Sequence, residues 1–331
     1  METSRRNFIK KSIVATAGIS TGMTVFANNN EENIIIDSNF LNANTIENDA
    51  FKISLFSKQL YWLNYEELAN TAVELGFDGL DLTVRAKGHV LPEYVERDLP
   101  LAVAAAKKAG IEVYFITTDI NDADDPLTER VLKTASGLGI KHYRMKWYYY
   151  DEKISIEDNL KFFEKKISKL AKLNKKYKIF GEYQNHSLQY EPSVYFGPYF
   201  SSTLWDLYLV LKKVNSPWLG SQFDIGHATI ESSRSWGIGL NLLTPYIKSL
   251  HVKDFVWTKE GDDWDMKGVP IGEGMVDYKT FFKVVNQNKI NVPITFYYNY
   301  PIGDAKSGPN LELMKKDLQT LRKFILESGK I

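Results

Sequence analysis

Residues Phe180–Ser187 read FGEYQNHS, and four of them, Glu182, Gln184, Asn185 and His186, can hold a divalent cation or the hydroxyls of a sugar. Such a cation needs negative charge from its ligands, and two of these four are amides, which supply oxygen without charge. The run therefore reads as a hydrogen-bonding surface for hydroxyl groups, with His186 and Glu182 as proton carriers. Similar side chains recur along the chain: Asp81, Thr83 and Arg85 with His89 behind them; Arg144, Lys146 and Trp147; Asp224 and His227 in FDIGHAT; His251, Lys253 and Asp254; Glu273 in a GEG turn; and Thr295, Tyr297 and Asn299. A base (His186, Glu182 or His89) among cations (Lys253, Arg85, Arg144, Lys146) suits removal of a proton beside a carbonyl, because the enolate that results is negative. Any one such residue is more commonly a cap or a buried ion pair. The case rests on convergence.

Convergence is expected because the residues punctuate an alternation repeated eight times from Phe51 onward. The β-rich runs are FKISLF, FDGLDLTV, IEVYFITTD, KHYRMKWYYY, KIFGEYQNH, WLGSQFDIGH, IKSLHVKDFVW and VPITFYYNY. Between them lie segments of helical period, the first opened by Asn64 as N-cap and stopped by Gly76. The sixth helix, around GIGLNLLTPY, is poorly patterned. Eight such units without a composition break predict an α/β fold, a single (β/α)8 TIM barrel over 51–331. An open doubly wound sheet would want a glycine-rich dinucleotide turn, and no GxGxxG is present. In a barrel the strand C-termini share one mouth, and residues two apart share a face. Asp81, Thr83 and Arg85 then point inward together, as do Arg144 with Lys146 and Glu182 with Gln184 and His186. Four of the five histidines fall at that mouth, His142 being the exception.

The 41 Lys and Arg balance 41 Asp and Glu, so nothing favours nucleic acid or an anionic membrane as partner. There is no Cys, which excludes disulfides, thiolate metal sites and a cysteine nucleophile. SRRNFIKKS (Ser4–Ser12) precedes a weakly apolar run, Ile13–Ala27, too short to span a bilayer comfortably. This pattern reads as a twin-arginine-type export signal over 1–27, removed to leave a soluble periplasmic protein of a Gram-negative bacterium. Residues 28–50, rich in Asn and Glu, read as a linker or poorly ordered arm.

The barrel region resembles the sugar phosphate isomerase/epimerase family, the xylose-isomerase-like barrels. The carrying pieces are GFDGLDLTVR (Gly76–Arg85), YQNHS (Tyr183–Ser187), QFDIGHA (Gln222–Ala228), SLHVKDF (Ser249–Phe255), PIGEGMVD (Pro270–Asp277) and PITFYYNYP (Pro293–Pro301). The resemblance implies one divalent ion, Mn, Mg, Zn or Co, held by a Glu, an Asp, a His and a second Glu. The Asp matches Asp224 and the His matches His251, but the two Glu positions fall on Gln184 and Asn299. A weak site on Asp224, His251 and Gln184, or none, is the expectation. The implied activity is isomerisation, epimerisation or elimination on a sugar or keto-glycoside, through proton abstraction beside its carbonyl. His186, Glu182, Lys253 and His89 are the expected catalytic residues. Substrate contacts are expected from Asp81, Arg85, Arg144, Lys146, Trp147, Gln184, His227, Glu273, Tyr297 and Asn299, in a cleft lined by Trp147, Tyr148, Trp257 and Tyr297. The alternative is a non-catalytic periplasmic sugar-binding protein on a degenerate scaffold. Related barrels that cut DNA need a metal cluster and a basic groove, which this neutral chain does not suggest. Homo-oligomerisation stays open.

Overall fold

The computed structural model describes residues 51–187 and 199–329, so the expected export signal and linker lie outside the described residues. Seven parallel strands follow in chain order: β1 (Ile53–Phe56), β2 (Gly79–Val84), β3 (Glu112–Thr118), β4 (His142–Arg144), β5 (Phe180–Gln184), β6 (Leu219–Asp224) and β7 (Ile247–Val252). A hairpin, β8 (Asp254–Glu260) and β9 (Asp263–Val269), interrupts the pattern before β10 (Ile294–Phe296), which pairs with both β7 and β1 and closes the barrel. The (β/α)8 expectation holds.

Helices α1 (Tyr65–Leu75), α2 (Val95–Lys108), α3 (Pro126–Gly137), α4 (Ile156–Tyr177), α5 (Trp205–Val214), α6 (Ile225–Ser232), α7 (Trp236–Leu243), α8 (Tyr278–Gln287) and α9 (Leu311–Ser328) cover the outside. The signals at α1 act as expected. Asn64 and Glu67 form a capping box, and Gly76, at φ 92°, ends the helix in the left-handed region that glycine tolerates best.

The barrel strands are buried over most of their length, yet their residues still alternate in type. Ile53, Leu55, Tyr143, Tyr183, Phe223, Leu250, Val252, Ile294 and Phe296 belong to the apolar core. Many intervening positions are polar, and several of them bond across the barrel. Thr117 and Thr295 both donate to Asp81, and Ser249 donates to Glu182. Each large apolar side chain withdrawn from water stabilises the fold by about 1.5–3 kcal/mol. The inner face instead spends stability to place hydrogen-bonding groups where the strands converge.

Two departures from the expected elements matter for the site. First, helix α6 begins immediately after Asp224, which caps it by accepting from the His227 amide at 2.9 Å. GIGLNLLTPY supplies a separate helix, α7, and a short turn. Second, IKSLHVKDFVW is not one strand. The Asp254 carboxylate accepts four backbone N–H groups, from Phe255, Gly272, Gly274 and Val276, and so pins the hairpin base to the GEG turn. The chain bends at Lys253, and the hairpin carries Trp257 and Trp264 into solvent.

Candidate functional site

The C-terminal ends of β5, β6 and β7 bring Gln184, Asp224 and His251 into adjacent register, with Asp224 paired to His251. Asp224 is the hub. Its Oδ2 accepts from Gln184 Nε2 at 2.8 Å and lies 3.2 Å from Lys253 Nζ and 3.1 Å from His251 Nδ1. The His251 approach is poorly aligned for a hydrogen bond, and that nitrogen has no partner among the described residues. Burial alone would raise the Asp224 pKa, but the Lys253 charge, His251 and the bonds it accepts hold it below the ordinary value. Asp224 is therefore ionised and paired with the Lys253 ammonium.

On the other side of Lys253 stands His227, whose Nε2 makes a very short contact with Nζ. Burial, with His186 and Lys253 nearby, drives the His227 pKa well down, so its ring is neutral. An ammonium only donates, so Nε2 accepts and Nδ1–H donates to Ser187 Oγ at 2.7 Å. The His186 ring packs against it at a tilt of 39°, centroids 3.8 Å apart. His186 Nδ1 donates to the Ser187 carbonyl at 2.8 Å, which fixes the tautomer and leaves the Nε2 lone pair unbonded among the described residues. Burial and the Lys253 charge lower the His186 pKa to about 3. Burial likewise lowers His251 to about 4, against the pull of Asp224.

Gly226, in the first turn of α6, makes this packing feasible. A Cβ there would sit 2.8 Å from Lys253 Cγ and 3.1 Å from its carbonyl oxygen.

Phe56, Arg144, Trp147 and Tyr297 complete the cleft with Gln184, His186, His227, His251 and Lys253. Its narrow end is only about 50 Å3. Lys58 and Arg85 line this end and also a wider space of about 490 Å3, a size usual for small-molecule sites. The Arg144 guanidinium sits over the Trp147 ring at 4.5 Å and donates to Gln184 Oε1 at 2.8 Å.

Several expected residues do other work. Glu182 is fully buried below the mouth, bound to His142 Nδ1 at 2.5 Å and to Ser249, so it is not an available base. His89 is likewise occupied, Nδ1 by Thr83 and Nε2 by the Leu60 carbonyl, each at 3.1 Å. Asp81 is sealed between Thr117 and Thr295. Lys146 and Glu273 are exposed, the first because β4 ends at Arg144 and the inward alternation ends with it. Neither Asn299 nor Glu273 lines the cleft. The Asn299 carbonyl instead faces Gly268, where a Cβ would come within 1.4 Å of it. Of the expected aromatics, Trp147 and Tyr297 line the cleft; Tyr148 is buried elsewhere, donating to the Asn121 carbonyl, and Trp257 is on the hairpin. Sequence reasoning missed Lys58 and Ser187, although Lys58 in FSKQL follows the first strand and obeys the same strand-end rule.

A divalent ion does not fit this donor set. An arginine can only donate, so Gln184 must turn its oxygen to Arg144 and its NH2 to Asp224. The amide thus presents hydrogens, not a lone pair, toward Asp224. The Lys253 ammonium already meets that carboxylate, and Asn299 is elsewhere. No group of three or more His, Cys, Asp or Glu suited to a metal occurs among the described residues. One charge and one imidazole cannot replace the three carboxylates and a histidine implied by the resemblance.

A family model described as a xylose isomerase-like TIM barrel matches residues 69–324. The chain belongs to this family. No curated protein sequence matches it. Among solved structures, 3-keto-D-glucoside 4-epimerase from E. coli in its apo form superposes with a TM-score of 0.63 at 14% identity, covering 83% of this chain and all of that one. A xylose isomerase-like TIM barrel protein from Mycobacterium smegmatis in complex with magnesium gives 0.61 at 12% identity, over 84% and 98% of the two chains. D-psicose 3-epimerase with D-tagatose from Clostridium cellulolyticum H10 gives 0.60 at 15%, over 84% and 99%. At these identities the family likeness is one of fold.

Proposed function

We propose that this protein is a carbohydrate epimerase, isomerase or lyase that abstracts a proton beside the carbonyl of a keto-sugar, without a metal. The observation that carries this reading is the fixed tautomer of His186, whose Nε2 lone pair is unbonded among the described residues, in a cleft shared with Lys253 and Arg144. Sugar epimerases among the structural neighbours, one acting on a 3-keto-glucoside, support the substrate class.

In the reaction, the C–H bond breaks as its proton passes to His186 Nε2. The electron pair forms a C=C bond and the carbonyl π pair moves onto oxygen. Lys253 Nζ and the Arg144 guanidinium stabilise that oxyanion. Neutral His186 is a weak base, so the cations must do much of the work by acidifying the C–H bond, and the growing negative charge strengthens His186 as the proton moves. A proton delivered by a second acid to the face opposite His186 gives the epimer, and delivery to the former carbonyl carbon, with the neighbouring hydroxyl proton passing to the enolate oxygen, gives the isomer. Departure of a β-oxygen substituent, with a proton to the leaving group, gives elimination. Export, read from the paired arginines, favours extracellular keto-glycosides and hence the lyase outcome.

The test is incubation with keto-sugars and 3-keto-glycosides in deuterated buffer, with isotope incorporation followed by NMR. Label at the carbon beside the carbonyl, lost in His186→Ala, is the expected result. The amides at 184 and 299 favour a second reading, a sugar-binding protein. Binding without label for any keto-sugar would select it.

A further inference from the structure

The charges around the cleft do not balance. Lys58, Arg85, Arg144 and Lys253 line its narrow end, and no carboxylate is among the described residues that line it; Asp224 is buried behind Lys253. Asp224 is already engaged by Lys253, Gln184 and the His227 amide. Arg144 has a neutral amide as hydrogen-bond partner and a buried Nε with none among the described residues. Lys58 has only the Tyr297 hydroxyl, at 3.3 Å, as a hydrogen-bond partner among the described residues. Arg85 makes no hydrogen bond or ion pair among the described residues, and exposed Asp119 is the acidic residue lining the wider space beside it. These groups feel one another: burial together with the charges of Arg85, Arg144 and Lys253 lowers the Lys58 pKa to about 8.

Cations that approach without counter-ions destabilise a fold unless a ligand supplies the missing charge. The transient enolate accounts for Lys253 and Arg144, but not for Lys58 and Arg85 at the junction with the wider space. We propose that the substrate carries a second, permanent oxyanion, a carboxylate or phosphate on the sugar, held there by Arg85 and Lys58. A planar guanidinium beside a flexible ammonium suits such a group, the first binding two oxygens at once and the second acting as a point charge. This deepens the proposed function and rests on it for the role of Lys253 and Arg144.

Calorimetric titration of the purified protein with D-glucuronate, D-glucose 6-phosphate and D-glucose tests it without any turnover. At least one anionic sugar should bind roughly tenfold or more tighter than glucose, with a preference that shrinks as salt rises from about 0.05 to 0.5 M. Which of the two anions wins identifies the group. Arg85→Gln and Lys58→Met should each erase most of that preference, measured against glucose in the same variant, with a thermal midpoint equal to or above the parental one. Equal affinity for all three sugars, or a preference that survives both substitutions, overturns the proposal. Isotope exchange in neutral keto-sugars would still stand in that event, so the two readings fail separately.

Discussion

Lys253 Nζ lies 3.2 Å from Asp224 Oδ2, both side chains buried, at the point where three strand ends meet. An ammonium there provides positive charge beside the cleft from within the chain. Protein purified without chelators should contain well under one equivalent of Mn, Mg, Zn or Co by elemental analysis, and isotope exchange should survive exhaustive chelation. A stoichiometric ion lost in Asp224→Ala would show that the amides are ligands after all.

Removing one partner of this pair leaves the other charge buried alone. Asp224→Ala should lower stability by about 3–5 kcal/mol, read from denaturant unfolding, because Lys253 loses its counter-ion. Lys253→Met should cost less stability but slow isotope exchange by about 10²–10³-fold, the loss expected when one donor to a developing oxyanion is deleted. A Lys253→Met protein that exchanges at the parental rate would remove Lys253 from the mechanism.

Gly226 tests the same side chain indirectly. Its absent Cβ leaves room for the Lys253 stem, so Gly226→Ala must push that stem aside. Exchange should fall, and the circular dichroism spectrum should be unchanged. A fully active Gly226→Ala variant would mean that the position of Nζ is not critical.

Glu182 offers a contrasting case. Bound to His142 and Ser249 below the mouth, it belongs to the barrel interior. Glu182→Gln should lower stability by about 1–3 kcal/mol and leave the chemical step nearly intact. A loss of exchange comparable to that of His186→Ala, with normal stability, would restore it as a base.

Asp81 predicts a pH dependence of stability. Burial pushes its pKa up to about 6 from an ordinary 3.8, against the bonds from Thr117 and Thr295. Between about pH 4 and 6 the folded state therefore holds this proton more tightly than the unfolded chain. Stability from this group is fully present below pH 4, falls as pH rises to 6 and is flat above, by about 3 kcal/mol in all. Asp81→Asn should remove that slope, as seen by denaturant unfolding across the range. An unchanged profile would show that Asp81 ionises normally in the fold.

Much was legible along the chain because a barrel strand announces itself locally. Apolar runs, the Asn64 cap and the Gly76 stop specify units, and eight units in series have few ways to close. The strand-end rule also found Asp224, His251, Lys253, Arg144, Gln184 and His186, since alternation sends every second residue inward. It failed where alternation stopped. Lys146 follows a strand that had already ended at Arg144, and Trp257 lies past the bend that Asp254 creates with amides from Gly272, Gly274 and Val276, far along the chain.

What the sequence by itself determined was the inventory: which side chains stand at the strand ends, and that two positions carry amides in place of carboxylates. Only the tertiary structure decided their partners. Nothing local states that Glu182 will meet His142, that Arg144 will claim the Gln184 oxygen, or that Lys253 will reach Asp224. Those choices depend on register between strands far apart in the chain and on depth below the mouth, where loss of water makes each pairing strong enough to set what its neighbours can do.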